Sequence, residues 1–201
     1  MGKFNLYSRF EGRYMKQLQD FREWIFAPLL KILLRFSIRP DHISLLSVFF
    51  GILFLFFIQK NIRLSLFFLV ISFFLDTLDG TLARKLGISS MGGTIVDASS
   101  DTAVIILTSF GFFVIGLIQL EVLVAYILTY MIIVGLSIWR NSKNIPYMFV
   151  IRPRLLVYLF FAIYVIWGIN ILNVSMALFS LLMFVESSFT LRFFFYNKKQ
   201  K

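Results

Sequence analysis

Two short stretches decide how this chain folds: residues 76–84 read DTLDGTLAR, and residues 93–101 read GTIVDASSD. The first carries Asp76 and Asp79, the second carries Asp97 and Asp101, and both adjoin long apolar runs. An ionised carboxylate near the middle of a bilayer costs about 2.5–3.5 kcal/mol on insertion scales, so an acid in such a setting indicates function. Four acids together are stronger evidence for a functional site than one.

The composition indicates that the setting is a membrane. The chain has 201 residues, of which 59% are apolar and 15% are charged, whereas a soluble domain is about 45–50% apolar and about 25% charged. This balance excludes a soluble enzyme, a disordered protein and a secreted disulfide scaffold. The chain has no cysteine and a single histidine, His42, which argues against thiolate or histidine metal sites and against a cysteine nucleophile.

The apolar runs predict an all-α integral membrane protein built as a bundle of six transmembrane helices. Each run approaches the roughly 20 residues that a helix needs to cross the hydrocarbon. The predicted spans cover residues 43–59, 64–79, 95–120, 122–139, 155–171 and 174–195. The chain then divides into a cytoplasmic juxtamembrane arm (1–42), a six-helix catalytic domain (43–196) and a basic cytoplasmic tail (197–201).

The distribution of Lys and Arg predicts the orientation. Six spans put both termini on one side, and that side holds eighteen basic residues, whereas the other holds only Lys60 and Arg63. The positive-inside rule therefore predicts cytoplasmic termini. The net charge of +10 is better explained by contact with anionic lipid head groups than by binding to nucleic acid, because the basic residues lie in short flanks between apolar spans.

The N-terminal arm predicts an amphipathic helix in the cytoplasmic interface. Its apolar residues recur at steps of three and four, which makes one helix face; they are Phe4, Tyr7, Phe10, Tyr14, Leu18, Phe21 and Ile25. We expect Pro28 to interrupt this helix, and Pro40 precedes the first span. The arm serves either as a simple anchor or as a partial lid over a cytoplasmic cavity.

The two aspartate stretches each place their polar residues on one helix face. These faces consist of Asp76, Asp79, Gly80, Ala83 and Arg84 on one helix and of Gly93, Asp97 and Asp101 on the next. The connection between them is short, so we expect antiparallel neighbours whose acidic faces meet. Such carboxylates coexist only when protonated or neutralised. Oxygen-only ligands suit Mg²⁺, Mn²⁺ or Ca²⁺, and four acids suit two such ions, an arrangement used in phosphoryl chemistry.

These residues resemble the signature of the CDP-alcohol phosphatidyltransferases, DxxDGxxAR-x8-GxxxDxxxD, at all eight fixed positions and all spacings. The resemblance implies an enzyme of phospholipid biosynthesis. Such an enzyme transfers a phosphatidyl-type group from a CDP-linked lipid, CDP-diacylglycerol or CDP-archaeol, to the hydroxyl of a small polar alcohol and releases CMP. It also implies a homodimer in the membrane.

The resemblance also implies roles for individual residues. Asp76, Asp79 and Asp97 resemble metal ligands, and Asp101 resembles the residue that both touches the second metal and acts as general base. The residues that resemble the nucleotide and diphosphate pocket are Gly80, Ala83, Arg84 and Gly93. The implied cofactors are two divalent cations, Mg²⁺ or Mn²⁺, with Ca²⁺ as a non-productive occupant.

Two departures from family patterns bear on the substrates. Many members carry Pro-Asn-x-x-Thr before the first span, where this chain reads PDHIS at residues 40–44. Asp41 can cap a helix as Asn does, Ser44 retains a hydroxyl, and His42 is expected to be structural. The small residues after Asp97 are most similar to inositol-phosphate-using members, although Thr102 replaces their usual Arg; acceptors such as glycerol phosphate or serine remain alternatives.

A basic cluster and one acid are candidates for the acceptor site. The cluster lies between spans 4 and 5 and consists of Arg140, Lys143, Arg152 and Arg154. It either binds a phosphorylated acceptor or only sets the topology. Glu186, inside span 6, either pairs with Arg192 or Arg140 or touches the acceptor.

Three other functions stay open at this point. A head-group transferase would use CDP-choline, CDP-ethanolamine or CDP-inositol as donor. A cation transporter predicts polar residues along both halves of a pathway, but the polar residues collect at the cytoplasmic end. A catalytically silent scaffold predicts loss of the acids, and none is lost.

Overall fold

Helices make up the regular structure of the described part of the chain. The computed structural model describes residues 26–36, 38–86, 91–142 and 153–198, and no strand occurs among them. The first helix, α1, is described over residues 26–35. The others are α2 (Pro40–Phe57), α3 (Ile62–Leu86), α4 (Met91–Val114), α5 (Leu120–Ser142), α6 (Arg154–Trp167) and α7 (Leu172–Lys198). The predicted all-α class is confirmed.

Five of these helices, α2 to α5 and α7, are long and apolar enough to cross a membrane, so the chain is a multi-pass membrane protein. The outer surface agrees, because large apolar side chains such as Phe56, Val70 and Leu128 are about half exposed or more. The sixth predicted span corresponds to α6, which is apolar but has only 14 residues.

Two predicted span ends were wrong. The span predicted over 95–120 ends as a helix at Val114, and the span predicted over 155–171 ends at Trp167. In each case a glycine takes a left-handed conformation just beyond the helix, Gly116 at φ 73° and Gly168 at φ 74°. Most residues around these turns are apolar, so hydropathy alone does not reveal the turns.

The two turns meet at one end of the bundle. Asn170 Nδ2 donates to the carbonyl of Leu117 at 3.1 Å, and the Gln119 amide donates to Asn173 Oδ1 at 2.9 Å. The polar side chains of one turn thus satisfy backbone groups of the other. These bonds put the C-terminal end of α6 beside the beginning of α5.

The main core is aromatic where α2, α4 and α6 cross. The rings of Phe54, Phe112 and Phe161 are fully buried. Their centroids lie 5.8 Å apart for Phe54–Phe112, 5.7 Å for Phe54–Phe161 and 4.8 Å for Phe112–Phe161. Gly111 permits this packing, because a Cβ there would lie 2.7 Å from Phe54 Cε1. Serines join α2 to α3: Ser72 Oγ donates to the carbonyl of Ser47 at 2.8 Å.

A smaller core holds α1 against the aspartate end of α3. Phe26 and Leu30 are buried together with Leu78 and Leu82, which lie between the polar residues of the first motif stretch. The helix continues through Pro28, so the interruption expected there is not seen in residues 26–35. The amphipathic face predicted from Phe4 to Ile25 lies outside the described residues.

Gly111→Ala should lower the stability of the bundle. The added methyl group overlaps the Phe54 ring, which is wedged between Phe112 and Phe161 and has nowhere to move, and overpacking of this kind costs about 1–3 kcal/mol. Thermal unfolding in detergent should therefore show a lower Tm.

Gly135→Ala is the matched control. Gly135 is also a helical glycine, and a Cβ there meets nothing within 4 Å, so helix propensity predicts an unchanged or slightly higher Tm. Equal Tm values for the two variants would contradict the packing described for Gly111.

Candidate active site

The first half of the site is one face of α3. Asp76 is partly exposed and Asp79 is buried, with 3% of its surface accessible. One helical turn separates them, so their carboxyl groups point in similar directions. Burial of Asp79 follows from its position between Leu78 and Leu82, which anchor this end of α3 in the smaller core.

The second half comes from α4. Asp97 is exposed and Asp101 is partly exposed, and one oxygen from each of Asp76, Asp97 and Asp101 lies within 4.8 Å of the others. The acidic faces of the two helices therefore meet as predicted. Asp79 is not part of this group of three, but it is close enough to Asp76 and Asp97 to be repelled by both.

Asp79 is held by a residue of α2. Ser44 Oγ donates to Asp79 Oδ2 at 2.5 Å. The other oxygen, Oδ1, is buried and has no hydrogen-bond partner among the described residues. A buried carboxylate oxygen without a donor is costly unless a ligand or a cation satisfies it.

These donors fit divalent cations. The acids offer only oxygen ligands. Three of the acids already lie together, and the fourth, Asp79, has one buried oxygen without a hydrogen-bond partner among the described residues. Such donor sets suit Mg²⁺ and Mn²⁺. Asp76, Asp97, Asp101 and Asp79 are the residues that would hold them.

A guanidinium from a distant part of the chain enters the same cluster. Arg154, the first residue of α6, is 8% exposed. Its Nη1 lies 2.6 Å from Asp101 Oδ1 and 3.0 Å from Asp76 Oδ1. One guanidinium therefore faces several carboxyl groups, and carboxyl oxygens are left that could bind a cation. Arg154 Nη2 is buried and has no hydrogen-bond partner among the described residues.

The residues expected at the nucleotide lie on the same two helices as the acids. Gly80, Ala83 and Gly93 are half-buried, and a Cβ at Gly80 would meet only Arg84 Nη1, at 3.6 Å. A methyl group at this position would therefore make an ordinary contact with the arginine side chain and no clash. Arg84 is exposed, and its Nη2 donates to Thr81 Oγ1 at 3.2 Å.

Of the predicted basic cluster, the structure brings Arg154 to the acids. Lys143 and Arg152 lie outside the described residues, and Arg140 belongs to α5 but its side chain is not described. Glu186 is half-buried in α7. Thr102, which replaces the usual Arg, donates its hydroxyl hydrogen to the carbonyl of Ala98 at 2.7 Å.

The residues before the first span differ from expectation in one respect. Asp41 does not cap α2: the cap is Arg39, and no side chain there accepts a capping hydrogen bond. The helix begins at Pro40, whose ring favours the first helical position. Asp41 and His42 lie exposed in the first turn.

Sequence reasoning missed two contacts. It noted that Ser44 keeps the hydroxyl of the usual Thr, but it did not predict the hydrogen bond to Asp79. It also did not single out Tyr158, whose hydroxyl oxygen accepts a hydrogen bond from Arg154 Nε at 3.0 Å. A usable signal existed for the second contact: Arg154 and Tyr158 are four residues apart at the start of an apolar helix, where they share one face.

Two solved structures share the fold of this chain. The phosphatidylinositol phosphate synthase of Mycobacterium tuberculosis has a similar fold in two crystal structures. Its complex with manganese and citrate gives a TM-score of 0.66 and 17% sequence identity over 82% of this chain and 86% of that one. Its structure with CDP-DAG bound gives a TM-score of 0.67 and 18% sequence identity over 84% of this chain and 92% of that one. Comparison with curated protein sequences gave no match.

A family model extends over most of the chain. The model describes the CDP-alcohol phosphatidyltransferases, and it matches residues 37–191, which include both aspartate stretches and Arg154. The sequence signature, the multi-pass helical fold and the meeting of the acidic faces all agree with this match. The protein therefore belongs to the CDP-alcohol phosphatidyltransferase family.

Proposed function

We propose that the protein transfers a phosphatidyl-type group from a CDP-linked lipid, CDP-diacylglycerol or CDP-archaeol, to a small phosphorylated alcohol such as inositol phosphate or glycerol phosphate. The observation that carries this proposal is the entry of Arg154 into the group formed by Asp76, Asp97 and Asp101. It combines a cation-binding set of acids with a donor for an anionic group. The similar fold of a synthase with CDP-DAG bound supports the choice of donor.

Asp76, Asp79, Asp97 and Asp101 would hold two divalent cations, Mg²⁺ or Mn²⁺, whereas Ca²⁺ would be a non-productive occupant. When bound, such ions neutralise the diphosphate and stabilise the charge that develops on the leaving CMP. Ser44 contributes by fixing one oxygen of Asp79, which leaves Oδ1 free to act as a ligand. Gly80, Ala83, Arg84 and Gly93 would accommodate the nucleotide and its diphosphate.

Asp101 would act as the general base. The acceptor hydroxyl oxygen forms a bond to the phosphorus that carries the lipid, and its proton passes to the Asp101 carboxylate. The bond between that phosphorus and the bridging diphosphate oxygen breaks, and CMP leaves with the electron pair. The partial exposure of Asp101 permits the acceptor to reach it.

Arg154 would bind the phosphate of the acceptor. Its Nη1 is engaged with Asp101, so an anion held by Nη2 would place the adjoining alcohol beside the base. A charge-assisted hydrogen bond to phosphate would also satisfy this buried donor. Arg140, Lys143 and Arg152 are further candidates for the same anion.

We also propose that α6 completes a six-span bundle with cytoplasmic termini. Arg154 begins α6 at the aspartate end, and the residues after α6 bond to the turn after α4 at the other end, which supports a full crossing. The excess of Lys and Arg near the aspartate end supports a cytoplasmic site. There it would receive the soluble alcohol from the cytoplasm and the CDP-lipid from the bilayer. The homodimer implied by family membership stays a prediction.

Release of CMP from CDP-diacylglycerol tests the proposed reaction. Purified protein should release CMP and form an equal amount of lipid product with Mg²⁺ or Mn²⁺ and a phosphorylated alcohol, and EDTA should abolish the reaction. Inositol, serine and glycerol serve as unphosphorylated acceptors. Turnover only with CDP-choline, CDP-ethanolamine or CDP-inositol and a lipid alcohol would instead identify a head-group transferase.

Two carboxylate variants show whether that turnover belongs to the described site. Asp101→Asn should lower kcat by about 10²–10⁴-fold, the range for loss of a general base, while CDP-diacylglycerol still binds. Glu121→Gln removes an exposed acid at the start of α5 and should leave kcat unchanged. Full activity in Asp101→Asn rules out its assignment as the base.

Arg154→Lys distinguishes the two roles of the basic cluster. Lysine keeps the charge that topology requires but lacks the planar fork that binds phosphate through two donors. We expect the KM for a phosphorylated acceptor to rise about tenfold or more, since hydrogen bonds to charged groups contribute about 1.5–3 kcal/mol. The KM for the CDP-lipid should remain close to the wild-type value.

The matched control is Arg63→Lys, at the exposed start of α3. This change should alter neither the KM for the acceptor nor the KM for the CDP-lipid. If the acceptor KM of Arg154→Lys equals that of the wild type, Arg154 does not bind phosphate. An unphosphorylated acceptor then becomes the better assignment.

A further inference from the structure

A buried tyrosine supports the arginine of the site. Tyr158 lies four residues after Arg154 on α6, so the two side chains share a helix face. Tyr158 is 8% exposed, and its hydroxyl oxygen accepts a hydrogen bond from Arg154 Nε at 3.0 Å. Its ring packs edge-to-face on Phe73 of α3, with centroids 6.0 Å apart. The phenol is therefore fixed between two helices.

Chemistry fixes the direction of this hydrogen bond. The guanidinium Nε–H can only donate, and the phenol oxygen accepts it through a lone pair. The contact therefore needs the tyrosine oxygen itself, which phenylalanine lacks.

These contacts fix the plane of the guanidinium. The arginine side chain has several rotatable bonds, and without a partner for Nε the planar group could turn about its axis. Tyr158 anchors Nε, while Asp76 and Asp101 anchor Nη1. Only Nη2 is left without a partner in the described part of the chain. Packing alone does not require this hydroxyl, since phenylalanine would fill the same volume.

We propose that Tyr158 is a positioning residue that fixes the guanidinium of Arg154 so that Nη2 faces the acceptor while Nη1 holds Asp76 and Asp101. The proposal rests on the acceptor-binding role assigned to Arg154. Tyr158 itself touches no substrate and acts only through that arginine. Three helices, α3, α4 and α6, thereby determine the geometry of one donor.

The experiment uses the intact protein in detergent with arginine labelled by ¹⁵N at Nε. The Nε–H signal of Arg154, assigned by its loss in Arg154→Lys, should exchange slowly with water in the wild type. Tyr158→Phe should abolish this protection. Tyr164→Phe, a half-buried tyrosine further along α6, is the matched control and should retain it. Protection that persists in Tyr158→Phe overturns the proposal.

Kinetics then separate positioning from packing. Tyr158→Phe should raise the acceptor KM about three- to tenfold, less than Arg154→Lys does, because the tyrosine acts only through the arginine. The CDP-lipid KM should stay unchanged. Loss of Nε–H protection with an unchanged acceptor KM also overturns the proposal. A wild-type protein inactive with every alcohol contradicts the proposed function instead, and the exchange measurement still decides whether Tyr158 fixes Arg154.

Discussion

Repulsion among four carboxylates is the constraint on which the rest of the structure depends. Two unit charges 4 Å apart interact by about 4 kcal/mol at an effective dielectric constant of 20, and Asp76, Asp97 and Asp101 bring their oxygens within 4.8 Å. Such a group persists only with compensating positive charge or donors. Arg154 supplies a charge, Ser44 supplies a donor to Asp79, and carboxyl oxygens are left that could bind divalent cations.

This constraint explains why distant segments converge on the site. Ser44 comes from α2, the acids from α3 and α4, and Arg154 from α6, so four helices contribute to one polar cluster. The aromatic contact of Phe54, Phe112 and Phe161 holds α2, α4 and α6 together in the apolar part of the bundle. Removal of either partner from a buried ion pair is costly, because the remaining charge stays desolvated. The cluster and the bundle therefore stabilise one another.

Much of this could be predicted from the sequence. The spacing of three and four residues predicted that Asp76 and Asp79 share one helix face and that Asp97 and Asp101 share another. The short connection between the two helices predicted that these faces meet. The turn at Gly116 could not be predicted, because its neighbours are as apolar as the helices around it. The pairing of Ser44 with Asp79 and of Arg154 with Asp76 and Asp101 could not be predicted either, since contacts between residues far apart in sequence depend on how helices cross. The sequence did not distinguish the four residues of the basic cluster as candidates for the acceptor site, and it is the packing of the helices that brings Arg154 to the acids.

Manganese binding tests the central claim, that these carboxylates form a two-cation site, most directly. Electron paramagnetic resonance of the purified protein with CDP-diacylglycerol and increasing Mn²⁺ should show two bound ions per chain with coupled spins. Asp97→Asn should lose at least one ion and the coupling, whereas Glu121→Gln should bind as the wild type does. If no Mn²⁺ binds, or if Asp97→Asn binds two coupled ions with unchanged affinity, the account is contradicted.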